Sequence, residues 1–97
     1  MTTFWLANPL PIADALWDID DLEVNLNGRS NFNLEPLLKR FRLSDSYDFA
    51  YPLFMWRDII VDGNRRLAAA KHLKDTDQET FNRIFPNGRI PVRIFKS

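Results

Sequence analysis

The apolar positions of this chain change their spacing several times, and each change marks an element. From Ile12 to Val24 the residues Ile12, Leu16, Trp17, Ile19, Leu22 and Val24 predict a short strand running into a turn-like acidic segment. Leu34, Leu37, Leu38 and Phe41 recur at three- and four-residue steps. They predict a helix capped by Asn33, with Glu35 and Pro36 as its second and third residues and its end near Leu43. Pro52 to Trp56 and Asp58 to Val61 are aromatic and β-branched, and read as two short strands with Arg57-Asp58 near the turn. Asp62-Gly63 ends the second of these strands. Leu67, Ala70 and Leu73 share one side of a helix from Asn64 to about Lys74. Thr76-Asp77-Gln78-Glu79 has capping-box spacing ahead of Phe81, Ile84 and Phe85, which predicts a short third helix broken by Pro86-Asn87-Gly88. Arg89 to Phe95 alternates Ile90, Val92 and Ile94 with Arg89, Pro91 and Arg93, the pattern of a strand with one buried face. Pro91 argues that this strand lies at a sheet edge or is bulged.

Between these elements the chain is polar. Residues 1–11, with Phe4, Trp5 and Asn8-Pro9-Leu10-Pro11, read as an extended arm, and 12–97 as one domain. Asn25 to Ser30 and Ser44 to Asp48 read as loops. A chain of 97 residues has room for one modest core, so strands mixed with helices indicate a single domain of the α/β (α+β) class.

Composition narrows the chemistry. There is no cysteine, which excludes disulfides, thiolate zinc sites and cysteine nucleophiles, and points to a reducing, cytoplasmic setting. No apolar run approaches membrane-spanning length. The formal net charge is zero, yet its distribution is uneven. Asp14, Asp18, Asp20, Asp21 and Glu23 precede the first base, Arg29, so the chain from Arg29 onward carries a positive surplus suited to a phosphate pocket or a nucleic-acid face.

The strongest chemical signal is Asp62-Gly63-Asn64-Arg65-Arg66, where a strand gives way to a helix with two arginines in its first turn. A helix N-terminus already carries partial positive charge and unpaired N–H groups, so cations there are costly without an anion nearby. A phosphate fits: Gly63 lets it approach the backbone, the N–H groups of Asn64 to Arg66 can point at its oxygens, and an arginine fork can clamp it. The alternative is that Asp62 pairs with the arginines and Gly63 only turns the chain. Trp56, Arg57 and Tyr51 are candidates for stacking a base, with core packing the competing role of the aromatics. His72, the only histidine, has no second histidine or cysteine with which to share a metal.

The run Ile59-Ile60-Val61-Asp62-Gly63-Asn64-Arg65-Arg66-Leu67-Ala68-Ala69-Ala70-Lys71, closed by Ile90 to Ile94, resembles the phosphate-binding box and last strand of the ParB/sulfiredoxin superfamily. Asn27-Gly28-Arg29 is similar to that family's upstream Asn-Pro-Arg box, with Gly28 where proline is usual, and Pro52-Leu53-Phe54 resembles the strand before the phosphate box. The resemblance implies a small mixed sheet with about three helices over residues 12–97, and a nucleotide site for CTP or ATP, with Mg2+ as a potential companion. It assigns the phosphates to Gly63, Asn64, Arg65 and Arg66, assisted by Arg29. A stand-alone domain of this kind suits a plasmid or phage accessory protein.

Departures from the family restrict the reactions open to this chain. Asn64 stands where sulfiredoxins carry the catalytic cysteine and ParB proteins commonly carry glutamate, so sulfinic acid reduction is excluded and nucleotide hydrolysis lacks its usual carboxylate. The remaining candidates for catalysis are Asp62, Asn64, Asp21 and Glu23, the last two within an acidic cluster that also includes Asp18 and Asp20. Two further functions stay open: a DNA-binding regulator or ParB-like nuclease, and a non-catalytic module whose arginines meet an acidic partner protein.

Overall fold

The computed structural model describes residues 10–25, 33–47 and 51–96. Four strands form one sheet: β1 (Leu10–Asp18), β2 (Leu53–Trp56), β3 (Ile59–Asp62) and β4 (Arg89–Lys96), in the order β1-β4-β2-β3. β4 is antiparallel to β1 and parallel to β2, and β3 returns antiparallel to β2, so the sheet is mixed. Among the described residues there are three α-helices, α1 (Glu35–Leu43), α2 (Asn64–Thr76) and α3 (Gln78–Ile84). This is the small α+β architecture expected from the pattern of strands and helices.

The core lies between one face of the sheet and the helices. Leu53, Met55, Ile60, Ile90 and Val92 supply the sheet side, and Leu38, Phe41, Leu67, Leu73, Phe81 and Ile84 the helical side. Phe85, just past α3, meets Phe41 edge-on at a centroid distance of 5.5 Å and lies equally close to Tyr47. Ala69 and Ala70 are completely buried, so α2 approaches its neighbours with almost no side-chain spacer. Leu38 and Phe41 bury the predicted stripe of α1, and Arg83 of α3 ties the end of that helix by donating to the carbonyls of Arg42 and Ser44 at 3.0 and 3.1 Å.

Several expectations shift. Pro91 does not mark an edge: β4 is an interior strand. Its parallel pairing with β2 begins only at Val92, one residue further on, so the missing N–H of Pro91 interrupts no bond in that ladder. The irregularity falls instead on β1, between Pro11 and Ala13. β1 starts at Leu10, inside the segment expected to be an arm, while residues 1–9, including Phe4 and Trp5, lie outside the described residues. Thr76 closes α2, its hydroxyl donating to the His72 carbonyl. Asp77 caps α3 in its place, accepting from the Thr80 N–H at 3.2 Å and the Thr80 hydroxyl at 2.7 Å. Asn33 sits one residue further from α1 than a cap and accepts the Glu35 N–H from there, making Glu35 and Pro36 the first two helical residues. Tyr47, in a stretch expected to be a polar loop, is buried.

Candidate functional site

β3 delivers the chain to α2 through Gly63, whose φ of 92° is left-handed and favours glycine. A Cβ at this position would lie 2.6 Å from Cδ2 of Leu53 and 3.1 Å from an arginine nitrogen of Arg66. The absent side chain therefore makes room for β2 and for Arg66. The Leu67 N–H donates to the Gly63 carbonyl, the first bond of the helix, so the N–H groups of Asn64, Arg65 and Arg66 precede the intrahelical ladder.

The three helices differ in how these first N–H groups are treated. α1 has Glu35 in its first turn and Asn33 bonded to it, and α3 has the Asp77 cap with Glu79 behind it. α2, the longest, has neither a side-chain cap nor an acidic residue in its first turn. Asp62, two residues before the helix, is exposed and spends one oxygen on the Gly63 N–H at 2.9 Å. Among the described residues neither arginine has a carboxylate partner, so the pairing of Asp62 with the arginines is not formed.

The arginines are held by backbone oxygens instead. Nη1 of Arg66 donates to the Tyr51 carbonyl at 2.5 Å, and its guanidinium carbon lies 5.8 Å from the centre of the Tyr51 ring. The same carbonyl accepts from the hydroxyl of the buried Tyr47 at 2.6 Å, which holds Tyr51 to the core. Arg65 is exposed and donates to the Asn33 carbonyl at 3.3 Å. Four segments thus converge on the start of α2: the end of β3, Asn25, Asn33 and Tyr51.

Asn64 has a different position from the one expected of a ligand-facing residue. It is 6% exposed, and its carboxamide accepts the Asn25 N–H at 2.7 Å while donating to the Ile60 carbonyl at 2.9 Å. Both ends of the amide are used to join β3, α2 and the segment after β1. This side chain builds the corner from inside. Arg29 lies outside the described residues; the described chain breaks off at Asn25 and resumes at Asn33, and both of these ends are bonded to the start of α2.

The acidic segment runs beside α2 in the opposite direction. The Ile19 carbonyl accepts from Nζ of Lys71 at 3.2 Å, and Asp20 pairs with Lys74 near the far end of the helix. The Lys74 ammonium beside Asp20 holds that carboxyl below the usual carboxylate range. Asp18 accepts the Asp20 N–H, and Asp21 and Glu23 are exposed. The chain therefore separates Asp20 and Asp21 from the two arginines by most of the length of α2. Among the described residues no three His, Asp or Glu side chains are grouped to hold a metal ion.

The other candidates lie around this corner and beyond it. Tyr51 is 59% exposed, next to Arg66. Trp56 and Arg57 sit together at the β2–β3 hairpin, the guanidinium 4.6 Å above the indole, with Arg57 and Asp58 both at positive φ. His72 is exposed on α2. The Tyr51 and Asn33 carbonyls as anchors of the arginines were not legible in the sequence, because a backbone acceptor leaves no residue signature. Among the described residues no helix is long and apolar enough to cross a membrane. No protein-family model, curated protein or solved structure matches the chain.

Proposed function

We propose that this protein binds a nucleotide by its phosphates at the corner between β3 and α2, with Arg65, Arg66 and the first N–H groups of α2 as the donors. The observation that carries the reading is the uncapped, acid-free first turn of the longest helix, with two arginines that have no carboxylate partner among the described residues. A phosphate would supply the missing negative charge and accept from both kinds of donor. The exposed ring of Tyr51 beside Arg66 gives a planar ligand a surface next to the phosphate position, which favours a nucleotide over a bare anion. The resemblance to ParB-like domains supports CTP or ATP as the class.

Binding without efficient hydrolysis is the form of the proposal. Asn64 carries no general base and is turned inward, and Asp62 spends one carboxylate oxygen on the Gly63 N–H. A broad nucleic-acid face has less support, since the basic surplus is spread over internal duties. Arg83 closes α1, Lys71 holds the Ile19 carbonyl, and Lys74, Arg93 and Arg42 have acidic partners. The test is calorimetric titration of the full chain with CTP, ATP and GTP, with and without Mg2+, repeated on Arg66→Ala and Arg65→Ala. Binding by the parent that weakens at least about tenfold in either variant supports the proposal. No heat with any nucleotide, or equal binding by all three proteins, overturns it.

A further inference from the structure

The outer face of the sheet, opposite the helices, has sorted charges. By the alternation of the strands and their register, Asp14, Leu16 and Asp18 of β1 lie on this face beside Arg93, Pro91 and Arg89 of β4. Both acids are on one strand and both arginines on its neighbour, at matching heights. Between them Leu16 is 55% exposed. Arg93 donates to Asp14 at 2.9 and 3.3 Å. Asp18 and Arg89 are register partners too, yet they form no ion pair; one Asp18 oxygen accepts the Asp20 N–H instead.

We propose that this face binds a second copy of the chain, about a two-fold axis parallel to the strands and passing between β1 and β4. Such an axis lays each β1 over the partner's β4 without changing height along the strands. Asp14 then faces the partner's Arg93, Asp18 faces the partner's Arg89, and Leu16 packs on the partner's Pro91 at the centre. A two-fold interface has to be complementary to itself, and an acidic column beside a basic one meets that condition. A two-fold axis across the strands would set acids on acids and arginines on arginines, so the charges select the axis. Packed sheets cross at roughly 30°, which displaces charges two residues from the centre by about 3 Å, within the reach of an arginine. A polyanion would meet Asp14 and Asp18 directly, which argues against nucleic acid as the occupant. The patch is narrow, so the association is weak and concentration-dependent.

The experiment is sedimentation equilibrium of the full chain over a wide concentration range, at low and high salt. A reversible monomer–dimer equilibrium that weakens with salt is expected. D18R and R89D should each weaken dimerisation at least about tenfold, since each sets like charges together twice per dimer. An equimolar mixture of the two variants should recover the association, because both charge contacts in the mixed dimer are then attractive. L16E should abolish it. If D18R fails to fold by circular dichroism, R89D and L16E, both at exposed positions, carry the test. A parent that stays monomeric throughout, variants that associate as the parent does, or a mixture no stronger than its components overturns the proposal. None of these outcomes depends on nucleotide binding.

Discussion

The carboxamide of Asn64 accepts the backbone N–H of Asn25 at 2.7 Å, across 39 residues of sequence. With the bond from Asn64 to the Ile60 carbonyl, it locks the segment after β1, the end of β3 and the start of α2 into one joint. Asn64→Ala would remove a buried acceptor and a buried donor together, at a cost of about 2–3 kcal/mol. Asn64→Asp keeps the acceptor for Asn25 but sets a carboxylate against the Ile60 carbonyl, and should be at least as damaging. In urea denaturation both variants should show a lower midpoint with an unchanged slope. A variant of parental stability would refute this structural role.

Gly63 makes a second prediction about the same corner. Alanine there would adopt a φ of 92° and bring its Cβ to 2.6 Å from Leu53. Backbone strain and overlap together should cost about 2 kcal/mol or more. Leu53→Ala alone should cost about 2–5 kcal/mol as a core truncation. Because the truncation removes the atom that Gly63→Ala strikes, the double variant should be less destabilised than the sum of the two. Additive losses in that double-mutant cycle would show that the overlap is not what excludes a side chain.

How far the sequence discloses this molecule depends on the range of each interaction. The strand, Gly63 and helix sequence is legible because periodicity, turn chemistry and the two arginines all act within a few residues. The inner face of β4 is legible for the same reason. Pro91 misleads because the cost of a missing N–H depends on where the neighbouring strand begins, which is decided by β2 nearly forty residues earlier. Tyr47 is hidden by its polar neighbours; its ring packs where Phe41 of α1 meets Phe85, contacts distant in sequence. Asn64 reads as a surface residue at a helix start because its partner, Asn25, is distant in sequence.

Arg83 has a role that composition counts as surface charge. Its Nε donates to the Ser44 carbonyl, and Nη2 reaches the Arg42 carbonyl, with Phe41 at 3.4 Å. These oxygens lie at the C-terminal end of α1, where cations are favourable and acceptors lack helical partners. Arg83→Ala should cost about 1 kcal/mol, and Arg83→Lys should recover only part, since one ammonium cannot reproduce the fork. Thermal unfolding of the three proteins orders them parent, lysine variant, alanine variant. Equal midpoints would show that water serves these carbonyls as well.

Acid should destabilise the fold through carboxyls with identified partners. Asp77 is held below its ordinary value of 3.8 first by the Thr80 hydroxyl, then by the Thr80 N–H and by Arg42. Lys74 does the same for Asp20, and Arg93 for Asp14. A carboxyl with a lower pKa in the folded chain takes up protons more readily when unfolded, so its stabilisation is complete above about pH 5 and is lost as pH falls through the folded value. Stability measured by urea at successive pH values should therefore decline below about pH 4. Asp77→Asn retains an acceptor for the Thr80 N–H but has no carboxyl to titrate, and should show a shallower decline at a lower starting stability. Thr80→Ala removes the largest cause of the depression and should flatten the curve in the same way with Asp77 intact. If neither variant changes the acid slope, Asp77 is not a source of the pH dependence.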